Sequence, residues 1–198
     1  STLFPYTTLF RSITVADDGT SAPDLTVSGT ISGASDLTKE GAGRLVLSGP
    51  NTYGGATTLN SGMITLGAAG VIPDGSNLVL GGGTLRTGNT TGFSETSGTL
   101  ALNASSIIEL GTGPHTLSFA SSSGISWPGT ATLQINGWSG DYNGTSGTEG
   151  KIKTGTTSGG LSAIQISRIC FYNEGNYYSA TILPDGEIVP LSISFAPS

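Results

Sequence analysis

The chain has 198 residues and a formal net charge of −6, and Gly, Ser and Thr account for 87 of its residues. Charged side chains make up only 10% of the chain, so neither ordinary disorder nor the cationic surface that nucleic acid requires is expected. Residues that form helices poorly dominate the sequence, so little helix is expected. No apolar run approaches the roughly 18 residues that a membrane helix needs. A single Cys cannot form an internal disulfide, and a single His cannot build a His-rich metal site.

The first twelve residues differ in character from the rest of the chain. Residues 2–12 read TLFPYTTLFRS and resemble the in-frame translation of a short-read sequencing adapter. We therefore treat residues 1–12 as a non-native segment and expect the native chain to begin near Ile13. The apolar side chains of this segment are nevertheless suited to pairing with an open sheet edge.

From Ile13 onward, short runs alternate apolar with polar residues between glycines. This period of two predicts strands with one buried face. The predicted strands are Leu25–Val27, Leu45–Leu47, Ile64–Leu66, Leu78–Leu80, Leu100–Leu102, Ile108–Leu110, Leu117–Phe119 and Leu133–Ile135.

Several of these runs begin two residues after a glycine. Gly43, Gly62, Gly83 and Gly98 are separated by 19, 21 and 15 residues. A period near 20, in a unit that cannot bury its own apolar face, indicates a solenoid. We therefore predict an all-β, single-stranded parallel β-helix over residues 13–135, with Leu, Ile and Val inside and Thr and Ser outside.

The corners of such a coil need residues that tolerate a positive φ, which Gly and Asn supply. Asn60 and Asn77 each adjoin a serine, and Asn51 follows Gly49 and Pro50, so all three are predicted at corners. The run Gly81–Gly83 lies between two predicted strands, and we interpret it as a corner, not as a phosphate-binding loop.

Residues 37–67 carry a more specific pattern, LTKEGAGRLVLSGPNTYGGATTLNSGMITLG. Ten positions fit L-x-K-x-G-x-G-x-L-x-L-x-G-x-N-x-Y-x-G-x-T. They are Lys39, Gly41, Gly43, Leu45, Leu47, Gly49, Asn51, Tyr53, Gly55 and Thr57. The segment resembles the autotransporter-associated β-strand repeat, also called the passenger-associated transport repeat. This resemblance implies a right-handed parallel β-helix on an exported bacterial surface protein, in which these ten residues determine the fold.

The C-terminal half is similar to the region that precedes the sorting signal of PEP-CTERM surface proteins. The similar stretches are Ile107–Phe119, Ile125–Trp127, Gly147–Ile152, Gly160–Tyr172 and Ala180–Pro190. The sequence departs from that family after Pro190, where LSISFAPS holds no Pro-Glu-Pro, no apolar helix and no basic tail. Anchoring by that route is therefore not expected from these residues.

Residues 136–198 are predicted to form a small cap over the last coil. Ser162–Gln165 fits the capping box of a short helix whose Leu161, Ile164 and Ile169 face inward. The remaining predicted elements are a hairpin of Ile169–Tyr172 and Tyr177–Leu183 with a turn at Glu174–Asn176, a turn at Pro184–Gly186 and a strand at Glu187–Pro190.

Two residues are isolated candidates for nucleophilic catalysis. His115 lies in Gly-Pro-His-Thr-Leu, a turn that enters a strand, and the sequence holds no G-x-S-x-G nucleophile elbow. Cys170 lies on a predicted strand, and its basic neighbour is Arg168. We interpret both residues as structural.

Carboxylates are the stronger candidates, because a glycan-active β-helix enzyme needs acids that converge within about 6–9 Å. The acids considered are Asp17, Asp18, Asp74, Glu109, Asp141, Asp185 and Glu187. They are scattered through the sequence, and Asp17 with Asp18 matches no EF-hand or nonapeptide calcium pattern. We predict that the chain is not an enzyme and binds no cofactor or metal.

A second alternative is glycan binding by exposed aromatic side chains, which would require at least two coplanar rings. The aromatic residues considered are Trp127, Trp138, Tyr172, Tyr177 and Tyr178. We favour packing within the cap for all five. Regular Thr-x-Thr ranks of the ice-binding type are not present at the coil period.

Our hypothesis is a structural and presentational solenoid of a secreted bacterial cell-surface protein, passenger-like or adhesin-like, with a second role in assisting export. The expected location is the extracellular space or the outer cell surface, and the expected partner is the export machinery of the full-length protein. The alternative is a glycan-active or glycan-binding β-helix module.

Overall fold

The structure is a computed structural model that describes residues 11–194. Residues 1–10, which form most of the predicted non-native segment, and residues 195–198 lie outside the described residues. The strands are β1 Arg11–Thr14, β2 Leu25–Val27, β3 Ser32–Gly33, β4 Leu37–Glu40, β5 Arg44–Leu47, β6 Thr52–Tyr53, β7 Thr57–Leu59, β8 Met63–Leu66, β9 Leu78–Leu80, β10 Thr84–Arg86, β11 Glu95–Ser97, β12 Leu100–Leu102, β13 Ser106–Glu109, β14 His115–Phe119, β15 Leu133–Asn136, β16 Gly150–Thr154, β17 Ile169–Asn173, β18 Asn176–Ile182 and β19 Glu187–Ser194. A 3₁₀ turn, Ser158–Gly160, and one short helix, α1 Ala163–Ile166, complete the elements.

Parallel pairing between successive coils builds three faces of a β-solenoid. Face A consists of β1, β4, β7, β9 and β12, and its five strands mark five coils. Face B consists of β2, β5, β8, β10, β13, β15 and β17. Face C is carried by β3 and β6 in the first two coils and by β11, β14 and β16 in later ones. The all-β solenoid predicted from the sequence is therefore confirmed.

The core is a set of stacked rows of inward side chains. On face B, Leu45, Ile64, Leu85, Ile108 and Ile135 occupy equivalent positions on five neighbouring strands, and each is fully buried. Neighbouring strands lie roughly 4.8 Å apart, so each side chain packs on its equivalent in the next coil. The alternation that predicted these strands thus places the apolar residues in one continuous core.

Parallel stacking continues past residue 135 into the C-terminal part of the chain. Face C extends through β16, and face B extends through β17. Strands β18 and β19 then run antiparallel: β18 pairs with β17, and β19 pairs with both β18 and β16. This antiparallel bridge joins face B to face C and closes the C-terminal end of the solenoid.

The short helix and the hairpin of this region form as predicted, with one exception. The Ser162 hydroxyl accepts from the backbone N–H of Gln165, and the Gln165 side chain accepts from that of Ser162, which completes the capping box. Leu161 and Ile169 are buried, but the side chain of Ile164 is 66% exposed, so its predicted inward orientation is wrong. Ile166 packs against the core instead.

The corner residues differ from the prediction in one respect. Within the described residues, glycine occupies every position with a positive φ except Glu174. Glu174 and Gly175, with φ of 48° and 86°, form the two-residue turn between β17 and β18. Asn60 and Asn77 do not have a positive φ. Their side chains form hydrogen bonds at the corners instead; for example, Asn77 Oδ1 accepts from the Thr99 N–H at 2.8 Å.

The inward rows predict a large difference between adjacent positions of one strand. Leu80 is fully buried between Leu59 and Leu102, whereas Val79 points outward and is half-buried. We expect Leu80→Ala to lower the free energy of unfolding by about 3 kcal/mol through the cavity it leaves, and Val79→Ala by less than about 1 kcal/mol. Urea denaturation followed by circular dichroism measures both. Equal losses for the two variants would contradict the stacked core.

Candidate functional site

The ten residues singled out in the sequence lie along one full turn of the solenoid, from β4 of one coil to β7 of the next. Leu45 and Leu47 are fully buried inward residues of face B. The four glycines occupy positions next to the preceding coil, where a Cβ atom would overlap the backbone of that coil or, at Gly55, the side chain and backbone of Asp36. Gly41 also has a φ of +78°, so both its conformation and its surroundings favour glycine.

Lys39 is the most unusual of the ten, because its side chain points into the solenoid and is fully buried. Its Nζ donates to the carbonyl oxygens of Glu40 at 2.8 Å, Gly41 at 2.7 Å and Ser61 at 3.3 Å. The equivalent residue of the next coil is Leu59. Burial lowers the pKa of the Lys39 ammonium, and the backbone carbonyls of two adjacent corners supply the partners that water would otherwise provide. Lys39 therefore ties one corner to the next.

Asn51 connects three coils through its side-chain amide. Its Oδ1 accepts from the Ile31 N–H at 2.8 Å in the preceding coil, and its Nδ2 donates to the Val71 carbonyl at 2.7 Å in the following coil. The residue is buried, so both amide atoms replace contacts that the backbone would otherwise make with water.

Tyr53 and Thr57 are brought together in a buried chain of hydroxyl groups. Tyr53 Oη lies 2.6 Å from Thr57 Oγ1, which lies 2.9 Å from Ser76 Oγ in the next coil. The Ser76 hydroxyl donates to the carbonyl of Gly55 at 2.8 Å. Burial raises the pKa of the Tyr53 phenol to about 12, so it stays protonated and serves as a hydrogen-bonding group.

A buried carboxylate, Glu95, extends this polar interior and was not found from the sequence. Its Oε2 accepts from the N–H groups of Val71 at 2.8 Å and Ile72 at 3.3 Å, and its Oε1 accepts from that of Thr96 at 3.3 Å. Burial raises the pKa of Glu95 to about 7, although these three hydrogen bonds lower it. The nearby negative charge of Asp74 adds to the rise. In the sequence, Glu95 follows Ser94 in a stretch without apolar alternation, so no signal distinguished it from an exposed acid.

Val71 explains why Asn51 and Glu95 are needed. The third coil has no strand on face C, so the backbone of Val71 lacks part of its ladder. Asn51 donates to its carbonyl and Glu95 accepts from its N–H. Two side chains from the flanking coils therefore replace the missing strand pairing.

His115 begins β14 and is buried. Its Nδ1 lies 2.8 Å from the Gly113 carbonyl, and its Nε2 lies 2.9 Å from Thr87 Oγ1. A Cβ atom at Gly92 or Gly150 would overlap the imidazole ring, so the ring is packed between two glycines of neighbouring coils. These contacts assign both ring nitrogens to structural hydrogen bonds.

The carboxylates considered from the sequence fall in separate places. Asp17 and Asp18 lie with Asp24 in an exposed loop, where one oxygen of each is within 4.8 Å of the others. Asp24 accepts from the N–H groups of Arg44 at 2.7 Å and Asp18 at 2.9 Å, and these bonds, with that of Arg44 the stronger, lower its pKa. The acidic loop is thus organised by its own backbone.

Three other acids of this set make local contacts. Glu109 pairs with Arg86 at 2.8 Å, and Asp185 pairs with Lys153 at 2.6 Å. Glu187 is fully buried and accepts from the Ser146 hydroxyl at 2.6 Å and from the Gly147 N–H at 2.7 Å, which anchors the loop between β15 and β16.

The aromatic residues of the C-terminal part pack mainly against one another. Trp138 makes edge-to-face contacts with Tyr142 and Phe171, at centroid distances of 5.1 and 5.8 Å. Trp127 is buried, and its indole N–H donates to the Leu100 carbonyl at 3.3 Å, on the last strand of face A. Tyr178 lies against Tyr142 at a centroid distance of 4.3 Å and an interplanar angle of 46°, so these aromatic side chains form a packed cap and not a flat binding platform. Tyr172 is 36% exposed, so the prediction that all five aromatic residues pack within the cap is wrong for this residue.

Cys170 is a buried free thiol on the outer side of β17. Burial raises its pKa, which lowers the fraction of reactive thiolate. Arg168 does not face the thiol with a free guanidinium, because its Nη1 donates to the carbonyls of Trp127 and Pro128. These contacts are consistent with a structural cysteine.

Comparison with known families identifies one repeat in the chain. Residues 37–66 match the sequence model of the passenger-associated transport repeat. This range covers β4 to β8, which is the coil that holds Lys39, Asn51 and Tyr53 and the first two strands of the next coil, so the chain contains a passenger-associated transport repeat at this position. The match does not extend to the C-terminal half, where the similarity to PEP-CTERM proteins remains a prediction. Searches of curated proteins and of solved structures found no match.

The carbonyl contacts of Lys39 predict that its ammonium stabilises the fold despite its burial. Lys39→Met keeps an apolar stem at a position that is Leu59 in the next coil, but it leaves the corner carbonyls with fewer donors. We expect a loss of about 1–3 kcal/mol in the free energy of unfolding. The control is Lys153→Met, which removes a solvent-exposed ion pair and should cost less than about 0.5 kcal/mol. Equal stability of Lys39→Met and the parent chain in urea would contradict this role.

Glu95 predicts a pH dependence of stability. Its pKa is raised from 4.5 to about 7, so the folded state favours the protonated acid. Its contribution is therefore fully present below pH 4.5 and is lost as the pH rises toward 7, an effect on the order of 3 kcal/mol.

The measurement compares thermal unfolding between pH 4 and 8 for the parent chain and for Glu95→Gln. The variant keeps an oxygen that accepts from the Val71 N–H but has no titration, so the difference between the two chains should change with pH. A constant difference across this range would show that the pKa of Glu95 is the same in the folded and the unfolded chain, which contradicts this prediction.

Proposed function

We propose that this chain is a structural segment of a passenger-type bacterial surface protein, which forms a stiff support and assists its own export. The observation that carries the proposal is the segment of residues 37–66, which matches the transport repeat and pairs in parallel register with the coils on both sides. The expected location is the outer cell surface or the extracellular space. The expected partner is the export machinery of the full-length protein.

The direction of the backbone hydrogen bonds supports a mechanical role. On each face, these bonds run from coil to coil and therefore lie along the axis of the solenoid. Bending or stretching the molecule would strain many of them at once. In a repeat array of this kind, each unit contacts only its neighbours, so the stiffness of the array does not depend on a distant partner.

The same geometry supports assistance to export. Each folded coil presents a parallel strand edge and a row of inward apolar side chains that the next coil can pack on. Segments that emerge outside the cell would fold on the coils already formed, which would oppose their return. Lys39 and Asn51 strengthen this stepwise addition because each makes contacts with a neighbouring coil.

The surroundings of the carboxylates favour a support over a glycan-active enzyme. Glu109 and Asp185 each pair with a basic residue. Asp17, Asp18 and Asp24 accept hydrogen bonds from the backbone around them.

Within residues 11–194, no helix has the length and apolar character needed to span a membrane.

The export role is tested by placing the chain as the passenger of a bacterial surface-display protein. The fraction that reaches the surface is measured by antibody labelling of intact cells and compared with the total. We expect the parent chain and Lys153→Met to reach the surface equally, and Lys39→Met to be retained because its repeat coil is less stable. If all three are displayed equally although Lys39→Met is less stable in urea, folding of the repeat does not assist export.

A further inference from the structure

Residues 67–76 connect β8 on face B to β9 on face A without forming a strand. We name them the coil-3 segment. The preceding coil has β6 at this position and the following coil has β11, so face C is interrupted at this level. The strands that flank the segment stay paired on both sides, β8 with β5 and β10, and β9 with β7 and β12. The segment can therefore leave its place while faces A and B remain intact.

The backbone holds the coil-3 segment mainly at its two ends. The Gly67 N–H donates to the preceding coil at 2.7 Å, and the Ser76 carbonyl accepts from the following coil at 2.8 Å. Between these ends, one backbone hydrogen bond to another coil is found among residues 11–194, from the Gly70 N–H, and its length is 3.4 Å. The middle of the segment thus depends on side chains for its attachment.

Two side chains hold the middle of the segment, one from each neighbouring coil. Asn51 Nδ2 donates to the Val71 carbonyl at 2.7 Å from the preceding coil. Glu95 Oε2, from the following coil, accepts from the N–H groups of Val71 at 2.8 Å and Ile72 at 3.3 Å. The side chains of Val71 and Ile72 are buried in the core below. One carboxylate oxygen is therefore the main polar contact of the middle with the following coil.

Glu95 is the anchor whose charge can change. It is 2% exposed, and it forms no ion pair within residues 11–194. Its partner on β14 is the apolar Leu117, and the ionisable groups near it are Asp74 in the segment itself and Tyr53 on β6. Burial raises the pKa of Glu95 to about 7, and the negative charge of Asp74 adds to the rise. Water around an open segment would favour the ionised form instead.

We propose that the coil-3 segment is a pH-controlled latch, which opens locally when Glu95 ionises while the strands of faces A and B stay paired. In the closed state the protonated carboxyl group is buried, and in the open state the carboxylate reaches water. Opening exposes the apolar side chains of Val71 and Ile72 and leaves β6 and β11 without their neighbour. The latch is a property of the purified chain and does not depend on a role in export.

The test is amide hydrogen exchange of the full chain, followed by NMR between pH 5 and 8, with each rate divided by its intrinsic value. Gly81 and Thr84 are the references, because their N–H groups bond to the preceding coil at 2.7 and 2.9 Å beside β9 and β10. We expect Val71 and Ile72 to exchange at least about tenfold faster than both references at every pH, since local opening needs less free energy than global unfolding.

The pH series then shows whether Glu95 controls the opening. The closed state favours the protonated acid, so opening should become more frequent as the pH rises toward 7 and should level off above it. The expected increase for Val71 and Ile72 is about fiftyfold from pH 5 to 8. Equal protection of these amides and the two references would overturn the latch, because the segment would then be exposed only by global unfolding. Fast exchange that does not change with pH would overturn the control by Glu95.

A pair of variants assigns the pH dependence to one carboxyl group. Glu95→Gln keeps an oxygen that accepts from the Val71 N–H but does not ionise, so the pH dependence at Val71 should disappear. The matched control is Glu149→Gln, which removes a carboxylate that accepts from the Gly113 N–H at 3.1 Å in another loop, and it should behave as the parent chain. Thermal unfolding confirms that both variants are folded. If Glu95→Gln does not fold, the pH series of the parent chain decides the proposal; if it folds and keeps the pH dependence, the proposal is wrong.

Discussion

The structure depends on the contact between equivalent inward side chains of successive coils. Leu45, Ile64 and Leu85 show this contact, because each is fully buried between the equivalent residues of the coils on both sides. Adjacent strands are so close that no other segment fits between two coils, so the corners must be tight and formed by small residues. This constraint accounts for the glycines at corner positions, where a side chain would collide with the coil before it.

Three polar side chains inside the solenoid, those of Asn51, Glu95 and Lys39, lie where this regular stacking is interrupted or turns a corner. Val71 lies in a coil without a strand on face C, and Asn51 and Glu95 supply the hydrogen bonds that the missing strand would have made. Lys39 has the same role at a corner, where backbone carbonyls turn inward. Each polar residue therefore repairs a particular gap in the backbone ladder, which is the reason that burial of charge is tolerated.

The sequence predicted the strands whose inward residues are apolar, but it did not show which face each strand joins. Gly98 precedes a strand of face A, whereas Gly43, Gly62 and Gly83 precede strands of face B, and this difference produced the short interval of 15 residues. The strand that begins at Glu95 was missed because its inward residues are Glu and Ser. The repeat pattern pointed to Lys39, but the partners of its ammonium lie on a separate coil and required the structure.

The later coils keep the register of their strands while the connections between the strands vary in length. Along face B, the spacing between equivalent residues grows from 21 residues at Ile64 to Leu85, through 23 and 27, to 36 at Ile135 to Phe171. The added residues lie in connections that hold Trp127, Trp138 and helix α1, while the strand register remains unbroken. Insertions therefore alter the ends and corners without shifting the outward side chains of face B relative to one another.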